Sequence, residues 1–283
     1  MKKPLATMVL LALAGAGCGS DFDPPSYLSG LRVLALVAEP VEAGPQDQVS
    51  IKPYVFVPEN SAITQEKLSF CPFSQGAQAA FSCAVPQCEK ELTLDSEKGA
   101  QARPFDLLLD CLSSTGGSAD NGVPTDIPQN VEVLYRYRVE TGDGENREAV
   151  FRQVLWTKSE PPTENRNPAF EGVRFGGKTI LPEETADAVP RDGQVEIRIS
   201  VDEESLDDFT DSSERARRED AVVWFFSTAG RFEFDQAVGT DVSVTWKAEK
   251  LTPQQDIAKM YFVLRDLRGG QAVTGPYLVP ISK

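Results

Sequence analysis

The chain reads as an all-β protein of two β-sandwich domains in tandem, the first carrying a disulfide-stapled insertion. Three observations predict this. Apolar and polar residues alternate over short stretches in both halves, an A-x-P-x-D motif recurs at the same place in each half, and the four cysteines beyond the N-terminal region fall in one segment of the first half. Alternation with period two places one face of a strand in a core and the other in water.

The first half, 31–158, opens on the apolar stretch Leu31 to Ala38 and a Glu39-Pro40 turn. Ala43-Gly-Pro45-Gln-Asp47 then precedes a strand in which Val49, Ile51, Val55 and Val57 alternate with polar residues. Pro53 lacks an N–H, which predicts an edge or a bulge there. The second half, 170–283, repeats the plan: Phe170 to Glu184, then Ala188-Val-Pro190-Arg-Asp192, then Val195, Ile197, Ile199 and Val201 in alternation. The two ends also match. Val131, Val133, Tyr135, Tyr137 and Val139, the turn Thr141 to Gly144, and Ala149 to Trp156 predict a closing hairpin. Met260 to Leu264, the loop Arg265 to Gly270 and Tyr277 to Ile281 predict another. Ser159 to Asn167, polar and interrupted by Pro161 and Pro162, predicts a linker over 159–169.

A central strand, Ala221 to Phe226 with Trp224, and about seven short strands over roughly a hundred residues are the pattern of an immunoglobulin-like sandwich. The second half has no cysteine, so its core is expected to rest on Trp224, Trp246 and β-branched packing rather than an inter-sheet disulfide.

The N-terminus predicts export. Lys2 and Lys3 precede the apolar run Leu5 to Ala14, too short for a mature transmembrane helix, and small residues lead to Cys18. Leu13-Ala-Gly-Ala-Gly-Cys18 resembles the lipobox of bacterial lipoproteins, with Gly15 where that family prefers Leu. The resemblance implies a signal peptide over 1–17, acylation of Cys18 and a tether over 18–30, and Gly19 implies sorting to the outer membrane. The rival site is an ordinary secretory cut after Ala14-Gly-Ala16. Cysteine parity favours the lipid: with Cys18 acylated, Cys71, Cys83, Cys88 and Cys111 remain as an even set for two disulfides in an oxidising compartment. With the lipobox, the A-x-P-x-D repeat and the Val263 to Gly270 hairpin together, the chain resembles Gram-negative surface lipoproteins built from tandem immunoglobulin-like domains, a family without a uniform activity.

Those four cysteines lie within a segment of about 66–128 that breaks the strand rhythm and ends in a Gly/Ser-rich run. Three pairings are open. A metal site is disfavoured, because the C-x11-C and C-x4-C spacings lack a zinc knuckle and exported thiols oxidise.

Composition narrows function. The 283 residues carry 28 basic and 43 acidic side chains, a net charge of -15, which opposes nucleic acid and anionic headgroups as partners. There is no histidine, so imidazole-dependent catalysis and metal ligation are excluded. Gly172 to Thr179 fits G-x-x-x-x-G-K-[ST], but Pro182 follows and no helical apolar pattern does, so a small hairpin around Gly176-Gly177 is expected and nucleotide binding is not. Asp202 to Asp211 is the densest acidic run; it lacks a calcium-loop pattern and reads as a solvated connection, with Ser212 to Asp220 as a short helix capped by Ser212 or Ser213. Arg265, Asp266 and Arg268 read as a charged hairpin tip.

The expected function is non-catalytic and without cofactor: a lipid-anchored envelope module binding protein or polysaccharide through loops and sheet edges. A calcium-dependent adhesion module and a carboxylate-based envelope hydrolase are the alternatives.

Overall fold

Alternation in the sequence becomes two pairs of facing sheets in the computed structural model, which describes residues 24–95, 98–115, 128–210, 213–252 and 254–283. Cys18 and the signal region lie outside the described residues. The first sandwich comprises β1 (Arg32–Glu39), β2 (Val49–Phe56), β3 (Ile63–Cys71), β4 (Lys90–Leu92), β5 (Leu94–Asp95), β6 (Gly99–Ala102), helix α1 (Pro104–Thr115), β7 (Asn130–Thr141) and β8 (Asn146–Trp156). Its sheets have the orders β1-β2-β6-β5 and β4-β3-β7-β8. In immunoglobulin lettering these are A-B-E-D and C′-C-F-G.

The second comprises β9 (Phe170–Phe175), β10 (Lys178–Thr179), β11 (Val189–Pro190), β12 (Gln194–Val201), β13 (Asp208–Thr210), β14 (Ala216–Arg218), β15 (Val222–Ser227), β16 (Arg231–Phe232), β17 (Gln236–Val238), β18 (Asp241–Lys247), β19 (Ile257–Arg265) and β20 (Gln271–Ser282). Its orders, β10-β9-β12-β18-β16 and β11-β20-β19-β15-β17, give A-B-E on one sheet and A′-G-F-C on the other, with β13 and β14 as a separate ribbon. The predicted fold class is therefore the observed one.

The A-x-P-x-D repeat marks where strand A crosses from one sheet to the other. Ala43 bridges Leu155 of β8 in parallel, and Val189–Pro190 pairs in parallel with Ile281 and Ser282 of β20. In the first copy Asp47 accepts the N–H of Gly44 at 2.7 Å and closes the turn into β2. The predicted hairpins form as β7–β8 and β19–β20. Pro53 lies past the reach of β6, which pairs only Val49 to Ile51, so its missing N–H leaves no gap in that ladder.

Each sandwich has its own core. Val49, Ile51, Leu68, Phe70, Tyr135, Tyr137 and Leu155 fill the first, and Ile197, Ile199, Phe225, Val244, Trp246, Met260 and Phe262 the second. Trp246 is fully buried and its indole donates to Ala229 O at 3.0 Å. Gly230 makes room for it: φ is +67° and a Cβ there would stand 2.4 Å from the Trp246 ring.

Trp224 requires a correction, for it is outside that core. It alternates with Val223 and Phe225, which point inward, so it faces outward, into a third apolar cluster between the sandwiches. There Leu34, Ala35, Tyr54 and Phe56 from the outer face of β1–β2 meet Trp224, Phe226, Tyr261, Val263 and Val273 from the outer face of β15–β19–β20. The outer sheet faces of the two halves thus pack on one another. Residues 159–169 take part in this junction: Asn167 donates to Ala38 O at 2.8 Å and accepts Gln271 N–H at 2.9 Å.

Within the cysteine segment the margins are woven into the sheets. Glu66 to Cys71 completes β3, and Gly99–Ala102 is β6, next to β2. The disulfides are Cys71–Cys83 and Cys88–Cys111; the second ties the β3–β4 loop to α1, where Cys111 and Leu108 share the buried face. The Gly/Ser-rich run from 116 lies outside the described residues.

Candidate functional site

Gly172 to Thr179 forms the end of β9, a turn and β10. Lys178 pairs with Phe175 across Gly176 and Gly177, whose φ values are +55° and +89°, as a two-residue hairpin of the I′ kind requires. Lys178 Nζ lies 2.6 Å from Asp187, and no helix follows for phosphates to meet.

The acidic run is divided by its partners. Asp202 caps a single 3-10 turn by accepting Glu204 N–H at 3.0 Å, whereas Asp207 turns inward. The segment after it corrects the sequence expectation: Ala216–Arg218 is strand β14, paired with β13, not a helix. Ser212 to Asp220 holds no apolar stripe to give a helix a buried face, whereas the ribbon sets Arg218 opposite Asp208. Among the described residues no three metal-donor side chains gather.

The charged hairpin tip is also placed differently from expectation: Asp266 is buried and Arg265 and Arg268 are partly buried, at the junction. Arg268 extends between Glu219, at 2.8 Å, and Glu42 of the first sandwich, at 3.2 Å, with its guanidinium 4.7 Å from the Phe209 ring centre. Glu42 also accepts from Asn165 Nδ2 at 2.8 Å and Trp156 Nε1 at 2.9 Å. Glu219 Oε2 accepts Asp207 N–H at 2.8 Å, and Asp207 in turn holds Arg166 through its backbone N–H at 2.8 Å and its guanidinium at 2.6 Å. Burial pushes Glu219 up; burial pushes Asp207 up too, but the hydrogen bonds from Arg166 outweigh it and leave that carboxyl below its ordinary value.

Asp266 shapes the loop between β19 and β20. Its Oδ1 accepts Arg268 N–H at 2.7 Å and Gly270 N–H at 2.9 Å, while Oδ2 is buried without a hydrogen-bond partner among the described residues. Burial, assisted by the nearby Glu219 charge, raises its pKa to about 6. Gly270 has to be glycine, since a Cβ would stand 1.9 Å from Asp266 Oδ2. Leu267, at the tip, is held at φ +67° with 69% of its surface exposed. A bulky residue in the left-handed region is strained, and the surrounding bonds over-determine it. Arg268 pairs with Glu42 and Glu219, Arg166 pairs with Asp207, and Glu219 is sealed from solvent. The arrangement clamps two sandwiches and fixes a loop.

Beside that loop runs a groove between the edges of β1 and β8. Gly30 to Val33, Glu145 and Arg147 to Ala149 line a cavity of about 440 Å³, and a second of about 280 Å³ continues along Leu34, Leu36, Val150, Arg265, Leu267 and Gly269 to Gln271. Arg32 and Arg265 line it, each over an aromatic ring, Phe226 at 5.3 Å and Trp224 at 5.5 Å. Neither forms an ion pair among the described residues, and Arg265 Nε is buried without a hydrogen-bond partner there. Burial lowers the pKa of both, and Arg147 adds repulsion at Arg32. A separate cleft of about 540 Å³ lies between Tyr27, Phe56 and Glu59 on one side and Gln255, Ile257 and Lys259 on the other, spanned by the Lys259–Glu59 pair at 2.7 Å.

No protein-family model matches the chain, and no curated protein matches it. Solved structures similar to it include the D00-D0 domain of intimin, at 7% identity over 90% of this chain and 99% of that one, TM-score 0.23. A 1.5-MDa bacterial ice-binding adhesin is similar at 10% identity over 90% and 66%, TM-score 0.23. E. coli alpha-2-macroglobulin in its native conformation is similar at 11% identity over 93% and 16%, TM-score 0.26. The immunoglobulin-like assignment rests on strand order and the A-to-A′ crossing, not on these scores.

Proposed function

We propose that this chain is a non-catalytic binding or scaffold module of the bacterial cell envelope, held at the outer membrane by a lipid on Cys18 and presenting strand edges and loops to a protein or polysaccharide. The observation that carries the reading is the junction. Glu219, Asp207 and Asp266 are buried and Arg268 mostly so, and what they hold is a fixed loop beside an open strand edge. Cysteine parity supports export, since Cys71, Cys83, Cys88 and Cys111 are all in disulfides and only Cys18 is left over. Among the described residues no helix is long and apolar enough to cross a membrane.

The test is in cells. Cys18→Ala is expected to abolish palmitate labelling and detergent partitioning; persistent labelling would refute the anchor. Crosslinking in intact cells, followed by mass spectrometry, is expected to return an envelope partner; turnover of a glycan or peptide by the purified protein would overturn the non-catalytic reading.

A further inference from the structure

The final strand of the first sandwich has one open side. Ala43 donates to Val154 O at 3.0 Å and accepts from Trp156 N–H at 2.8 Å, so even-numbered residues of β8 aim their backbone groups away from β7. Glu148, Val150 and Arg152 continue that outward row with no backbone partner among the described residues. A long unpaired edge is a template for another strand. It borders the groove that holds Arg32 and Arg265, and Leu267 forms part of the lip. On the facing side, Leu36 O and Ala38 O of β1 are already taken by Gln271 and Asn167 from the second sandwich, so β8 is the edge left to add to. The carboxylates of the groove are engaged: Glu145 accepts Leu31 N–H at 2.5 Å and Glu148 pairs with Arg138 at 2.5 Å. In a chain of net charge -15, two partly buried guanidiniums without ion pairs are a local departure.

We propose that this groove takes an extended acidic polypeptide, which adds to the Glu148–Arg152 edge of β8 as a strand and sets a carboxylate against Arg265, with Leu267 packing on its apolar side. The proposal deepens the binding-module reading and rests on it. Backbone pairing supplies contact without sequence demand, and the carboxylate supplies selectivity.

Two short synthetic peptides of alternating threonine and valine, one with two glutamates and one with two lysines at the same places, separate charge from edge pairing. Fluorescence anisotropy with the purified protein is expected to show roughly tenfold tighter binding of the glutamate peptide. Val150→Pro deletes an outward N–H and leaves the β7–β8 ladder, which uses the odd residues, intact; it is expected to abolish binding. Arg265→Gln is expected to erase the preference for glutamate and carries the test alone should the proline variant misfold. Equal binding of both peptides, or wild-type binding by Val150→Pro, would overturn the proposal. So would sedimentation showing a dimer that Val150→Pro dissociates, with no peptide bound, since a second copy would then be the occupant. A cellular crosslink to an envelope partner that survives Val150→Pro sinks the groove and spares the module; peptide binding in the absence of any cellular partner does the reverse.

Discussion

The last strand of each sandwich pairs on one side with the strand before it, yet the other sides of the two are guarded differently. In the second, residues 183–191 run beside β20: Glu183 N–H reaches Pro276 O at 2.7 Å, Ala186 N–H reaches Leu278 O at 2.8 Å, and Val189–Pro190 continues the pairing to Ser282. In the first, the corresponding cover is Ala43, which protects only the end of β8 near Leu155. The motif A-x-P-x-D sits at this crossing in both, so it fixes where strand A changes sheet and not how far it then travels. Length of cover, more than strand sequence, decides which edge is open.

The halves also differ in what replaces apolar burial. The first has two disulfides around a segment with little core of its own; the second has none and relies on Trp246 and its aromatic neighbours. Loop-closure entropy gives about 3 kcal/mol for each staple, model-dependent, for separations of 12 and 23 residues. Reduction under native conditions is therefore expected to cost the first sandwich up to about 6 kcal/mol and to expose α1 and β4 to hydrogen exchange first. Protection of β12, β18 and β19 is expected to persist. Loss of protection in both halves at the same free energy would mean that the outer-face cluster makes them one cooperative unit and would dissolve the contrast.

The junction supplies the next-largest effect. Glu219→Ala removes the partner of a mostly buried Arg268 and strands the N–H of Asp207, which is expected to destabilise by about 3–5 kcal/mol. Glu219→Gln keeps a shape and an acceptor and is expected to cost less. Denaturant unfolding of both variants is the measurement, and a loss under about 1 kcal/mol for Glu219→Ala would show that the clamp is ornamental to stability.

Much of this was legible. Period-two alternation located the strands, the Gly176-Gly177 pair announced a hairpin, and the even set of four cysteines in one segment announced two disulfides. Helix α1 has its own trace in the sequence: Pro104 at its first position, then Leu108 and Cys111 on one face, is a helical signature. The outward turn of Trp224 also left a trace, because Val222 to Phe226 and Met260 to Leu264 are apolar on both alternating faces, the mark of strands covered on two sides. What was not legible is the burial of Arg268 and Asp266. That depends on Glu42 and Glu219, distant in the chain, and a charged loop of this composition is ordinarily solvated.

Asp266 gives the smallest effect and the one with a distinctive sign. Its carboxyl is held at about 6 in the folded protein, above the ordinary 3.8, so the folded state binds its proton more tightly than the unfolded chain. Stability from this group is fully present below about pH 4 and is lost as pH rises through about 6, a decline of at most ~3 kcal/mol. Glu219, also raised by burial, adds in the same direction, whereas Asp207, lowered by Arg166, loses its contribution only on acidification below the ordinary carboxylate range. Asp266→Asn is therefore expected to flatten the fall in unfolding free energy between pH 4 and about 6.5 and to leave the Glu219 part in place. Because Asp266 also fixes the loop that displays Leu267, the variant separates two roles: the amide keeps an acceptor for the Arg268 and Gly270 N–H groups while removing the titration. A pH profile identical to wild type would mean that the buried carboxylate is already solvated, and with it the loop beside the open edge would lose the rigidity that makes it a lip.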